Sequence, residues 1–264
     1  MENLFDQMVD ILKVNKKLGQ IAVKAEFESE GTRSEELIRL KEISNAAKLP
    51  MVVKIGGCEA IRDLLECKVY RIENLVAPMV ESSYAAQKFV NSLERVFGDE
   101  CFRPKTYINV ETGLSFNNLD SISDAIKGRL DGIVFGRVDY VGSLDMSRSH
   151  VNDESLLKDA IDIASKCFDQ NLEFVIGGGI SIDAVPFLKQ VKKISLQRFE
   201  TRKCVFNSNI LETSFVDSAL RNAVLFELLW LKSKQSYNSK ITAEDDIRID
   251  MLEKRHIYNM NSCS

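Results

Sequence analysis

From about residue 20 to residue 230, short apolar runs alternate with longer segments in which apolar residues recur every three or four positions. The runs "QIAVKAEFES", "MVVKIGG", "NLVAPMV", "TYINVET", "GIVFGRV", "EFVIGGG" and "KISLQRF" predict seven strands. The intervening segments, among them "RSEELIRLKEISNAAK", "SSYAAQKFVNSLERVF" and "ESLLKDAIDIASKCFDQ", predict helices, several preceded by a Ser, Thr, Asn or Asp suited to N-capping. Strands alternating with helices imply a parallel sheet joined by crossover helices.

A chain of 264 residues suits a single (β/α)8 TIM-type barrel, which takes about 250 residues. Seven strands is one short of closure, so either a short strand near the N-terminus completes the barrel or the sheet is open. No Gly/Ser-rich or Pro-rich linker interrupts the chain, which predicts one domain over residues 1–264. Within it, 1–19 forms an amphipathic N-terminal helix, 20–205 the barrel core and 213–255 the C-terminal helices. The stretch "FVDSALRNAVLFELLWLKSKQ" reads as a long helix with Phe215, Ala219, Ala223, Phe226 and Trp230 at helical spacing. That face packs on its own barrel or against another subunit. The tail "ITAEDDIRIDMLEKRHIYNMNSCS" is expected to begin as a charged helix and end in disorder.

Strand parity predicts which side chains enter the barrel. In "TYINVET", Ile108 and Val110 face one way, and Asn109 and Glu111 the other. By the same rule Lys54 points inward between Val53 and Ile55, and Lys24, Glu26 and Glu28 share the inner face of the first strand. Charged groups therefore converge on one rim: Glu26 or Glu28, Lys54, Glu111, Asp139, and from the last strand Arg198, Glu200 and Arg202. Buried charges must be compensated by one another, by a ligand or by a metal. Two carboxylates at neighbouring strand ends suit a hard cation such as Mg²⁺; equally, acids following strands are often loop residues paired with Lys or Arg.

Composition narrows the partners. A formal charge of −4 argues against a nucleic-acid-binding surface. The cysteines at 58, 67, 101, 167, 204 and 263 form no C-x-x-C, and two histidines give little help in holding zinc, so they read as reduced thiols. No secretory leader and no uninterrupted apolar run of about 18 residues is present, which excludes a spanning helix and makes the cytoplasm the expected compartment.

The segments "VKIGG", "LVAPMVESSYAAQKFV", "INVETGLSFNNLDSI" and "LDGIVFGRVDYVGSLD", in this order, resemble the HpcH/HpaI aldolase and citrate lyase β-subunit family of the phosphoenolpyruvate/pyruvate-binding barrels. The resemblance covers residues 52 to about 145, more weakly the flanks. It implies that Glu111 and Asp139 hold Mg²⁺ or Mn²⁺, which chelates a 2-oxo acid. It also implies that amides of the "RVD" turn, around Arg137, Val138 and Asp139, hold the substrate carboxylate, and that the reaction is a carbon–carbon lyase or aldolase step through an enolate. It further implies a homo-oligomer, trimer or hexamer, in which the C-terminal helix packs on a neighbour.

Two departures stand out. Lys54 occupies the strand position of a family Arg, keeping the charge but losing the planar fork. No His follows the first strand, where the sequence reads "EFESEGTR", so base chemistry falls to Glu28, Glu26 or metal-bound water; His150 is a further candidate acid or base. "VIGGGIS" has the form of a phosphate-binding turn, with Gly177 and Gly178 as its contacts, or of a tight packing turn. Arg198 and Arg202 either receive an anionic substrate group or pair with acids. The alternatives to a 2-oxo acid or acyl-substrate lyase are thus a phosphoenolpyruvate- or phosphosugar-handling enzyme and an inactive ligand-binding or regulatory relative.

Overall fold

Eight strands close into one barrel in chain order: β1 (Gln20–Glu26), β2 (Met51–Lys54), β3 (Asn74–Ala77), β4 (Lys105–Val110), β5 (Gly132–Gly136), β6 (Glu173–Gly177), β7 (Arg198–Glu200) and β8 (Cys204–Asn207). This computed structural model describes residues 4–98 and 101–237. Strands β1 to β7 run parallel, with Glu26 beside Lys54 and Asn109 beside Val134. β8 is antiparallel to both β7 and β1.

The sheet is therefore not open, and the eighth strand lies not near the N-terminus but directly after the seventh, so neither alternative left by the sequence holds. Only Thr201–Lys203 separate the two, with Thr201 N donating to Cys204 O at 2.8 Å. So short a connection makes a hairpin; a parallel partner needs a crossover.

Parity holds around the barrel. Val23, Ala25, Val53, Ile55, Ile108 and Val110 belong to the large core between sheet and helices. Ala22, Val52, Val76, Tyr107, Val134, Val175 and Val205 fill the lumen. Because the lumen is narrow, small β-branched residues dominate there, and the remaining inward positions carry polar groups.

The helical layer comprises α1 (Leu4–Leu18), α2 (Ser34–Ala46), α3 (Ile61–Val69), α4 (Ser83–Phe97), α5 (Gly113–Asn117), α6 (Leu119–Ile126), α7 (Arg137–Ser143), α8 (Glu154–Asp169) and α9 (Val185–Lys192). Ser82 caps α4 by accepting from Ala85 N at 3.1 Å, and Thr112 caps α5 through Ser115 N.

The C-terminal helix, α10, occupies residues 216–237. It lies on its own barrel: Asn15 Nδ2 donates to Ala219 O at 3.0 Å, Arg39 to Ser233 Oγ at 2.7 Å, and Lys234 pairs with Glu36 at 3.1 Å. Ala219, Ala223, Phe226 and Trp230 are buried as their spacing predicted, whereas Phe215, one residue before the helix, is 55% exposed. Residues 238–264, with the end of the predicted C-terminal helices, the charged tail and Cys263, lie outside the described residues. Among those described, no helix is long and apolar enough to cross a membrane.

Candidate active site

The carboxyl ends of the parallel strands open into a cavity of about 830 Å³. Its lining takes Lys24 and Glu26 from β1, Glu28 and Ser29 from the next loop, Lys54 from the end of β2, Glu111 from the residue after β4, and Asp139 from α7. Tertiary closure thus gathers residues spread from position 24 to position 139.

Glu111 is the most buried of these acids, at 1% exposure. Its Oε1 accepts from Met79 N at 2.9 Å, and its Oε2 from Asn109 Nδ2 at 2.6 Å and Lys54 Nζ at 3.4 Å. Met79 adopts φ 51°, an uncommon conformation for a side-chain-bearing residue, and this turns its amide onto the carboxylate. Gly136 makes room from the other side, since a Cβ there would lie 2.6 Å from Glu111 Oε2.

Lys54 joins Glu111 to Glu28, whose Oε2 lies 2.7 Å from Nζ. That oxygen is buried but makes no well-aligned hydrogen bond. Burial alone would lower the Lys54 pKa, yet Glu111 and Glu28 hold the ammonium above its ordinary value. Burial opposes the ionisation of Glu26, but Lys24 at 3.1 Å and the Ser29 hydroxyl bring its pKa down to about 2. Lys24 also pairs with Glu200, and these two carboxylates keep it protonated against burial.

Asp139 is exposed on the cavity wall and has no partner among the described residues. Asn109, 4% exposed and part of the lining, leaves Oδ1 without a hydrogen-bond partner. No group of three or more His, Cys, Asp or Glu suited to a metal is found among the described residues. Two carboxylates and an orphaned amide oxygen around one cavity still fit a hard cation that fills its other positions with water and substrate oxygens.

Several sequence expectations need correction. Arg137 does not face the cavity: it is fully buried and donates to Gly178 O at 2.7 and 3.1 Å, Gly179 O at 3.2 Å, Val151 O at 3.0 Å and Asn152 Oδ1 at 2.8 Å. With no acid beside it, burial brings its pKa down to about 10. It therefore props the glycine turn and does not reach a ligand. Arg198 points to the opposite end of the barrel, where it pairs with Glu173 at 3.1 Å over the Tyr107 ring. Arg202 lines the cavity but is paired with Glu30 at 3.0 Å. His150 is absent from the cavity lining, its Nδ1 meeting Asp153 at 2.7 Å, and this position outside the cavity counts against it as acid or base.

Val138, Gly177 and Gly178 do line the cavity. Gly178 has φ 78°, and a Cβ there would lie 2.7 Å from Val138 N. Close packing of the turn on α7 thus accounts for this glycine.

Other lining residues were given no functional role from sequence. Asn109 had a signal, since it shares the inner face with Glu111 two residues on. Met79 acts through its backbone and leaves none. Ala223, Val224 and Glu227 of α10 form one wall of the cavity, a position no local pattern encodes.

With this geometry in hand, comparisons place the chain among known proteins. The HpcH/HpaI aldolase/citrate lyase family matches residues 27–194, a span holding Glu28, Lys54, Glu111, Asp139 and Gly177–Gly179. No curated protein matches the sequence. The fold superposes on an HpcH/HpaI aldolase from Desulfitobacterium hafniense DCB-2 with a TM-score of 0.59 and 13% identity, over 73% of this chain and 82% of that one. A citrate synthase, SbnG, gives 0.57 at 16% identity over 74% and 81%, and RipC from Yersinia pestis 0.52 at 16% over 78% and 87%. At such identities the structural likeness shows the fold alone, while the family match spans well over half the chain. The protein belongs to the HpcH/HpaI aldolase/citrate lyase family and falls in its carbon–carbon lyase class.

Proposed function

We propose that this chain cleaves or forms a carbon–carbon bond beside a 2-oxo acid or related acyl group, with Glu111 and Asp139 as ligands of Mg²⁺ or Mn²⁺, Lys54 as the fixed cation and Glu28 as the general base. What carries the reading is the Glu28–Lys54–Glu111 chain, set at the strand ends in one cavity with the orphaned Asn109 oxygen and with Asp139, which is unpaired among the described residues. A divalent cation bound there supplies positive charge to the oxygens of the 2-oxo acid.

In the cleavage direction, Glu28 takes the proton of the hydroxyl on the carbon that leaves as an aldehyde. The carbon–carbon bond breaks, and its electron pair moves into the 2-oxo fragment as an enolate. The Lys54 ammonium, kept protonated by its two carboxylates, stabilises the negative oxygen. The proton that Glu28 took then passes to the enolate carbon, which restores the carboxylate and releases pyruvate or its homologue. Glu26 is a poor base for this work, because a pKa near 2 leaves it little affinity for a proton at neutral pH. Val138 and Asp139 amides, in the first turn of α7, are suited to the substrate carboxylate.

A phospho-substrate has less support, since Arg198 faces away from the cavity and Arg202 already has a carboxylate. The same reading treats the chain as one cytoplasmic domain, consistent with its five unpaired described cysteines. Exposed Val224, Leu225, Leu228 and Leu231 on α10 support a homo-oligomer, trimer or hexamer.

The test is release of pyruvate from a panel of 4-hydroxy-2-oxo acids, with and without EDTA. Release that EDTA abolishes and Mg²⁺ or Mn²⁺ restores is the expected result. Binding of the oxo acids without turnover under any metal would instead identify a ligand-binding relative.

A further inference from the structure

The family match ends at residue 194, short of the β7–β8 hairpin and α10, yet the hairpin is fastened to the loop that carries Glu28, and α10 packs on the hairpin through Trp230 and Lys203. Glu30, two residues further along that loop, has a side chain only 10% exposed and bridges two cations of the hairpin. Its Oε1 accepts from Arg202 Nε at 3.0 Å, and its Oε2 from Lys203 Nζ. Glu30 itself is absent from the cavity lining.

Lys203 is 3% exposed, and its Nζ lies 6.0 Å from the ring centroid of Trp230 on α10. Burial lowers its pKa, and Glu30 is the foremost group opposing that. A buried ammonium without a counter-ion is costly, so Lys203 dictates where the Glu30 carboxylate must sit. On the other side, the tight turn at Gly31, with φ 55° and its N donating to Glu28 O at 3.3 Å, passes that position to Glu28.

We propose that Glu30 is a positioning residue: by bridging Arg202 and Lys203 it anchors the loop over 27–33 so that Glu28 stays against Lys54. The consequence is that a hairpin beyond the family match, backed by Trp230 of α10, holds the base in place. The proposal rests on Glu28 acting as the base, as argued above.

The test uses the full chain carrying Glu30→Gln, Glu30→Asp, Arg202→Gln and the Glu30→Gln/Arg202→Gln double. A displaced base should lower kcat by about 10- to 100-fold in Glu30→Gln while KM changes by less than about threefold. Glu30→Asp should recover part of the loss, and the double should lose no more than Glu30→Gln alone, since both changes cut one linkage. Arg202→Gln leaves Lys203 paired, so it keeps the fold and should show a smaller loss of the same kind. Amide exchange over 27–33 should quicken in Glu30→Gln, and the emission of Trp230, the one tryptophan in the chain, should shift. A raised KM with unchanged kcat, or quickened exchange with unchanged kcat, would overturn the proposal. If the wild-type chain cleaves no oxo acid, the lyase reading fails separately, and unchanged exchange and emission in Glu30→Gln would then sink the anchor itself.

Discussion

At the amino-terminal end of the barrel, Arg198 is held by Glu173 at 3.1 Å, Asn74 at 3.4 Å and the Tyr107 ring, while the Tyr107 hydroxyl donates to Glu173 at 2.8 Å. At the carboxyl-terminal end, Lys54 is held by Glu28 and Glu111. Both ends bury a cation between strands. Below, the remaining space is about 10 Å³, room for one water at most. Above, it is about 830 Å³, with Asp139 and the Asn109 oxygen left open to it. Charge inside a barrel is thus no sign of chemistry by itself. The distinction lies in whether the charges exhaust one another or leave valences facing a space that a substrate fits.

The comparison breaks most sharply at Lys54. Lys54→Met should cost about 10³-fold in kcat/KM per folded molecule, in line with loss of a principal electrostatic stabiliser, and should also lower Tm, since buried Glu111 loses its cation. Lys54→Arg should retain far more activity than the Met variant. Steady-state kinetics with thermal melts decide it, and an active Met variant would put the mouth on the same footing as the floor. Arg198→Met should touch stability alone. Breaking its pair with Glu173 should cost about 2–3 kcal/mol, discounted for the partial exposure of Glu173, with kcat per folded molecule unchanged.

The smallest effect is set by pH. Glu26 has its folded pKa near 2, below the ordinary 4.5, so the unfolded chain binds its proton first as pH falls. Its contribution is complete above about 4.5 and is lost as pH approaches 2. The Tm gap between wild type and Glu26→Gln should therefore close across that window. A gap that stays constant from pH 7 to 3 would mean that the Lys24 pair adds nothing to the mouth's stability.

Strand parity made much of the mouth legible before any coordinates. It turned Lys24, Glu26, Lys54, Asn109 and Glu111 inward, because alternation is a property of the extended backbone. It failed where alternation stops. Arg137 is the first residue of a helix, and Arg198, although correctly turned inward, sits at the wrong height in the lumen. β8 escaped notice because "CVFN" is four residues long and the turn before it, "ETRKC", has no Gly, Pro or Asn to mark it.

The sequence by itself therefore determined the alternation of strands and helices, the inward charges of the first, second and fourth strands and the acid at the end of the fourth, all of which follow from local backbone geometry; Asp139 proved to lie in the first turn of α7 and not at the end of a strand. Only the tertiary structure decided which charge meets which. Lys24 meets Glu200 across 176 residues, Lys54 meets Glu111 across 57, and Arg202 and Lys203 meet Glu30 across more than 170. Such pairs exist because closure brings β8 beside β1 and aligns the strand ends, a constraint carried by the whole barrel and by no segment of it.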